Sequence, residues 1–201
     1  EYTTYNSIDF ATPKVGMIVG NSRPPRPFEK GPVWLDPDPE TRREVPSTSV
    51  VLETKNGGES WTSAVASTFG EVSRIQIDES GRGLALLEFQ NFFKFPSELM
   101  RLDLKTGKSY SVLKRKDRAV NDIAVIPDGP AFAVGLEPAG VVYPSPMPGK
   151  VNALRSVNLK DWIEGDVDYR AVARRVSLAV VDGENAWMAT DTGMILKLTT
   201  P

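Results

Sequence analysis

The sequence predicts an all-β fold of the β-propeller kind, on three observations. One strand pattern recurs four times: Ser7-Ile8-Asp9-Phe10, Arg74-Ile75-Gln76-Ile77, Asp122-Ile123-Ala124-Val125 and Ser177-Leu178-Ala179-Val180. Each alternates polar or small with apolar residues, as a strand with one buried face requires. Each is followed by a turn and a second apolar strand at one spacing: Ile8 to Met17, Ile75 to Leu84, Ile123 to Phe132 and Leu178 to Trp187 are all nine residues apart. Finally, sixteen Gly and sixteen Pro among 201 residues demand more turns than a helical protein tolerates.

The elements follow in order. The hairpin turns are Thr12-Pro13-Lys14, Asp78-Glu79-Ser80-Gly81, Pro127-Asp128-Gly129 and Asp182-Gly183-Glu184, all built from residues that favour tight reversals. Third strands are predicted at 50–54, 99–103, 153–156 and 195–199, and fourth strands begin near Trp61, Tyr110 and Trp162. Four antiparallel strands per repeat, with repeats 67, 48 and 55 residues apart, describe propeller blades. The chain therefore reads as one domain over 1–201, with repeats at about 6–66, 72–113, 120–172 and 176–201. The last repeat stops before its fourth strand. Two readings follow: residues 1–5 supply that strand and close a four-bladed ring, or the chain is the C-terminal part of a larger propeller. A helical fold fails because no window sustains apolar spacing at i, i+3, i+4. A β-sandwich would not predict four near-identical hairpins.

Composition removes several functions. With no cysteine and no histidine, disulfides, thiolate or His-ligated metal sites, a Cys nucleophile and a Ser-His-Asp triad are excluded. No cofactor or metal is predicted, since no phosphate loop or dinucleotide fingerprint is present and Asp36-Pro37-Asp38-Pro39-Glu40 lacks the Gly and Glu an EF-hand would need at Thr41 and Ser47. A net charge of −2 argues against nucleic acid as a partner. No apolar run approaches the roughly 20 residues of a transmembrane helix. A start at Glu1 rather than Met leads to the expectation of a processed or truncated chain and, through a removed leader, of an extracytoplasmic location: secreted, periplasmic or lumenal.

At the third turn of the first repeat, Thr54, Asn56, Gly58 and Trp61 match the pattern Ser/Thr-x-Asp-x-Gly-x-x-Trp, with Asn in place of Asp. A short Asx side chain bonds the turn backbone, Gly takes a conformation closed to other residues, and Trp packs between sheets. A weaker copy lies at Ser156, Asn158 and Trp162, one residue shorter and without Gly, and a remnant at Asp103 to Gly107. By these residues the chain resembles the Asp-box, or BNR-repeat, propellers, a group that includes sialidase-like and photosystem II assembly/stability factor-like members. The resemblance implies a structural role for the boxes, on the face away from any active site.

Function is then expected at the opposite end, where the connections after the hairpins are long and proline-rich: 21–48, 90–96 and 138–150. Arg23, Arg26, Arg42 and Arg43 lie in the first, Arg115 and Arg118 in one blade junction, and Arg174 and Arg175 in another, interleaved with Trp34, Phe92, Phe93 and Tyr143. Arg with aromatic residues is the composition of a protein interface or an anionic-ligand site. Arg23-Pro24-Pro25-Arg26-Pro27 also has the form of a polyproline ligand, although a rigid surface loop is the favoured reading. The predicted function is a non-enzymatic binding or scaffold propeller with a protein partner, such as an assembly factor or a subunit of a larger complex. The alternative is a sialidase-like glycoside hydrolase or carbohydrate-binding propeller taking a glycan. It needs two carboxylates about 5 to 10 Å apart, for which Asp9, Asp122, Glu88, Asp117 and Glu137 are the candidates. No Arg-Ile-Pro segment or Tyr-Glu pair supports it.

Overall fold

A computed structural model describes residues 2–22, 47–89, 95–137, 148–168 and 170–198, and their regular structure is all β. The first sheet holds β1 (Thr3–Phe10), β2 (Gly16–Ser22), β3 (Ser47–Thr54) and β4 (Thr62–Thr68), in that order. The second holds β5 (Glu71–Ile77), β6 (Arg82–Glu88), β7 (Ser97–Asp103) and β8 (Lys108–Leu113). The third holds β9 (Ala119–Val125), β10 (Ala131–Glu137), β11 (Gly149–Ser156) and β12 (Ile163–Gly165), with β13 (Val172–Ala173) also pairing β11. The fourth holds β14 (Val176–Val180), β15 (Ala186–Thr190) and β16 (Ile195–Leu198). All are antiparallel meanders. Among the described residues no helix is long and apolar enough to cross a membrane.

The four hairpins are copies down to single bonds. Ile8 faces Ile18, Ile75 faces Ala85, Ile123 faces Ala133 and Leu178 faces Met188, one register throughout. Each turn closes with the same amide-to-carbonyl bond, from Ala11 to Val15, Asp78 to Arg82, Ile126 to Pro130 and Val181 to Asn185. Register shifts fall at Asn6, Ser73 and Asn121, each two residues before the repeated isoleucine. A bulge bends its strand and re-aims the next side chain. Here the re-aimed residues are Ser7, Arg74 and Asp122.

Those residues fasten each sheet to the next. The innermost strand of each sheet has one edge without a strand partner, and its N–H groups need acceptors. Ile75 N–H donates to Ser7 Oγ (3.2 Å) and Ile77 N–H to Asp9 Oδ2 (2.7 Å), so β1 caps the edge of β5. Leu178 N–H donates to Asp122 Oδ2 (2.9 Å), so β9 caps β14. Arg74 on β5 reaches the same carboxylate, with Nε 3.1 Å from Asp122 Oδ1.

Apolar packing follows the strand alternation. Leu84, Leu86 and Leu99 of the second sheet bury against Val120, Ile123, Ala133 and Leu154 of the third. The other face of the third sheet, with Val134, Leu136 and Val151, packs on Val176 and Met188 of the fourth. Being covered on both sides, β10 is a continuous buried run rather than an alternating one. Sheets one and two join through Val19, Ile75 and Ile77. The fourth sheet makes no comparable contact with the first, and their outward residues stay open, with Ile8 57% and Ile195 76% exposed. Among the described residues the sheets thus form an open arc. The expectation that residues 1–5 complete the fourth sheet is corrected: Thr3, Thr4 and Tyr5 pair with Ser22, Asn21 and Gly20, because the chain's first strand is already the inner strand of the first sheet.

Asp122 is only 4% exposed and serves three partners, the Ile123 and Leu178 amides and Arg74. Asp122→Ala leaves all three without this acceptor, and is expected to cost about 2 to 3 kcal/mol, read by urea unfolding. The same change at exposed Asp117 is expected to cost under about 1 kcal/mol. Equal costs would show that the Asp122 latch adds nothing.

Candidate functional site

The two ends of the sheets differ in what they are built for. At the lower end, the hairpin turns and the β3–β4 type turns are bonded together: Gly57 N–H donates to Lys14 C=O (2.9 Å), and Leu104 N–H to Gly81 C=O (2.9 Å). Thr54, 2% exposed, accepts from Gly58 N–H at 2.9 Å and donates to Asn56 Oδ1, which also takes Ser60 N–H. Gly57 and Gly58 have φ of 77° and 94°, the left-handed region that glycine enters without strain. Trp61 then meets Phe10 edge to face, centroids 6.2 Å apart. The shorter turn at Ser156 keeps the bond to Asn158 Oδ1, which also accepts Lys160 and Asp161 N–H, and Trp162 packs against the core between sheets two and three. The side chains of Thr54, Asn56, Ser60, Ser156 and Asn158 are thus bonded within their own turns.

The upper end collects charges from three sheets. Glu71, opening β5, and Glu88, closing β6, are cross-strand partners. Protein crowded around Glu88 raises its carboxyl above the usual 4.5; Arg175 opposes the rise, Glu71 adds to it, and Ser73 and Arg74 oppose it more weakly. Glu88 nonetheless keeps solvent access, as a group on the concave side of an arc does. That Arg175, just before β14, is felt at Glu88 shows the curve of the arc bringing the fourth sheet back toward the second. With Arg74 and Asp122 this makes a mixed-charge cluster on the inner side.

Farther out, Lys114 pairs with Glu98 (2.8 Å) and lies over the rings of Phe89 and Phe95, 5.5 and 5.1 Å from their centroids. Arg115 grips Asp117 with two bonds of 3.2 Å, and that hydrogen bonding holds Asp117 below its usual range. Asp191 accepts the backbone N–H of Arg174 (2.9 Å) and of Arg175 (3.2 Å), which lowers its pKa and leaves both arginine side chains exposed. Nearby, a hydrogen bond from the Arg170 side chain lowers Asp168 to about 2.

Of the predicted binding residues, Arg115, Arg174 and Arg175 lie exposed at this end. Arg118 does not join them. It is 4% exposed and paired with Glu137 and Glu164 of the third sheet, because the register of β9 against β10 sets it at the level of Glu137. Arg23, Arg26, Trp34, Arg42, Arg43, Phe92, Phe93 and Tyr143 lie outside the described residues. Of the candidate catalytic carboxylates, Asp9 and Asp122 cap strand edges, Asp117 serves Arg115 and Glu137 serves Arg118. Sequence reasoning missed Glu71, Arg74 as a site residue, and the packing of Lys114 on Phe89 and Phe95. The position of Arg74, one residue before the repeated isoleucine, was the available signal.

No family model matches the sequence, and no curated protein sequence matches it. Solved structures do. The β-propeller domain of the Trilobed protease from Pyrococcus furiosus, which has an open velcro topology, aligns at a TM-score of 0.53 and 11% identity over 98% of this chain and 58% of that one. Zg3597, a family 117 glycoside hydrolase of Zobellia galactanivorans, aligns at 0.53 and 10% identity over 98% and 69%. YCF48 bound to a D1 peptide aligns at 0.47 and 13% identity over 96% and 53%. The chain therefore spans just over half the length of two of these three chains. At such identities the likeness establishes the β-propeller fold alone.

A carboxyl raised on folding binds protons more tightly in the native state. Glu88 therefore adds stability below its unfolded pKa near 4.5, and that contribution is lost as pH rises through the higher folded value. Glu88→Gln is expected to flatten this decline and to be the more stable protein at neutral pH, as measured by thermal unfolding across the acid range. An unchanged pH profile would place the carboxyl in ordinary solvent.

Proposed function

We propose that this chain is a non-enzymatic binding propeller whose upper end takes a protein partner, as an assembly factor or scaffold subunit would. The observation that carries the reading is the allocation of charge there. Four of the five carboxylates that could serve catalysis are committed to strand edges or ion pairs, while Arg174 and Arg175 stand exposed and, at the same end, a lysine packs on two phenylalanines. Exposed arginines and aromatic rings at one end suit a partner with acidic and apolar side chains. The strands flanking the proline-rich connections 21–48 and 138–150 also end here. The bonding within Thr54–Trp61 supports membership of the Asp-box group, with the boxes as fasteners on the far end. An extracytoplasmic location belongs to the same proposal.

A second reading, a glycan-hydrolysing or glycan-binding propeller, draws on one observation: Glu71 and Glu88 face each other and the pKa of Glu88 is raised. A carboxyl whose pKa is raised by burial, facing a second carboxyl, is the arrangement the acid half of a glycosidase pair needs.

Purification from the native source, with identification of co-purifying proteins, tests the first reading. A stoichiometric protein partner is expected, and the triple change Arg115→Glu, Arg174→Glu, Arg175→Glu is expected to weaken its binding at least about tenfold, the effect of losing roughly 1.4 kcal/mol, with the fold intact by circular dichroism. Undiminished binding would overturn the assignment of the surface. Recovery as a lone monomer that cleaves glycans, with activity lost in Glu88→Gln, would establish the second reading.

A further inference from the structure

We propose that the cleft between the second and third sheets at the lower end is a binding site for a small oxyanion, a phosphate or sulfate group. The cavity has a volume of about 220 Å³ and its wall includes Ser80, Arg82, Arg101, Asp103, Lys105 and Asn158. Its three cations come from separate elements, the start of β6, the middle of β7 and the β7–β8 turn, so their convergence is made by the packing of the sheet and not by a local charge run.

Each cation is held in place and keeps donors to spare. Arg82 is anchored by Asp78, itself only 2% exposed, through Nε and Nη2, both 2.8 Å from Oδ2. A guanidinium has five N–H groups, and those of Arg82 Nη1 have no partner among the described residues. Arg101 lies over the Tyr110 ring, 5.0 Å from its centroid, and its Nε is buried without a hydrogen-bond acceptor. Lys105 rests its stem against Gly81, where a Cβ would come within 3.2 Å of it, and its ammonium has no carboxylate partner among the described residues.

Two carboxylates stand against the three cations, Asp78 behind Arg82 and Asp103 in the wall. Asp78 is committed to Arg82 and Ser80. Asp103 accepts Lys105 N–H (3.0 Å) and Thr106 N–H (3.1 Å), bonds that close its own turn. Three cations against two committed carboxylates leave a surplus positive charge. The opposite wall is rigid: Leu159 sits at φ 58°, left-handed for a non-glycine residue, with its side chain 1% exposed in the core between the sheets. An oxyanion in the cleft would take charge-assisted bonds from the three cations that line it. A water occupies about 30 Å³, so the cavity admits a tetrahedral oxyanion with part of its hydration shell.

Isothermal titration of the whole chain with inorganic phosphate and with sulfate tests the site. Saturable binding is expected, weakened about tenfold, or about 1.4 kcal/mol, by Lys105→Met and by Arg101→Met separately, and lost in the double variant, with thermal unfolding confirming that each variant folds. Lys105 is in an exposed turn, so its variant remains informative if Arg101→Met destabilises the fold. Glycerol phosphate distinguishes the source: tighter binding than inorganic phosphate points to a phosphate ester, and equal binding to the free ion, either outcome upholding the site. Absence of saturable binding to any of the three anions, or binding undiminished in the double variant, would overturn it.

Discussion

The unpaired edge of each inner strand is the constraint on which the arrangement depends. A sheet that ends on its inner side leaves a row of amides without acceptors, and in a protein that row must be covered, bonded or exposed to water. This chain bonds it. Ser7 and Asp9 reach the amides of Ile75 and Ile77, and Asp122 reaches that of Leu178. The geometry is available only because a bulge at Asn6 and another at Asn121 turn the following side chain toward the next sheet. The bulges, the acidic and hydroxyl residues behind them and the repeated hairpin register are therefore one device. Apolar packing between sheets supplies most of the adhesion, and the latches set the angle at which that packing occurs.

The same device decides what the inner carboxylates can do. A carboxylate that accepts backbone amides and pairs with an arginine is fixed in one orientation, with its oxygens already occupied, which does not suit a group that must reach a substrate. Asp122 is in that position. Glu88 differs in that burial raises its pKa. Position in the repeat explains the contrast: Asp122 follows a bulge on an inner strand, whereas Glu88 closes a second strand, where its partner across the sheet is another glutamate.

Much of the fold was legible in the sequence because its repeat is written in the strongest local signal, apolar alternation interrupted at fixed spacing by turn residues. The nine-residue offset from Ile8 to Met17 and its three counterparts follows from a shared turn bond, and the structure shows that bond four times. The third strands and the turn at Thr54–Trp61 were legible for the same reason. Arg118 was not. Its neighbours Lys114, Arg115, Lys116 and Asp117 make it look like part of a solvated charge run, and only the pairing of β9 with β10, which sets it beside Glu137, shows how it comes to be buried. Nor could sequence show that Arg82, Arg101 and Lys105 meet, since they are brought together by the register of β6 against β7. Residues 3–5 were misassigned because strand composition says that a segment is extended and is silent on which sheet it joins.

Charge allocation separates the two ends more sharply than sequence position does. At the lower end, side-chain oxygens are consumed by their own turns, as Asn56, Asn158 and Asp103 show, so the donors that face the cleft there are in excess of acceptors. At the upper end, carboxylates are consumed by neighbouring backbone and arginines, as Asp191 and Glu137 show, and the cations left over are exposed on the surface rather than gathered in a cavity. At one end spare donors line a cleft, and at the other exposed cations lie on the surface. Both arise from the same economy of the fold, in which acidic and Asx side chains are used to satisfy amides and the basic side chains are what remain.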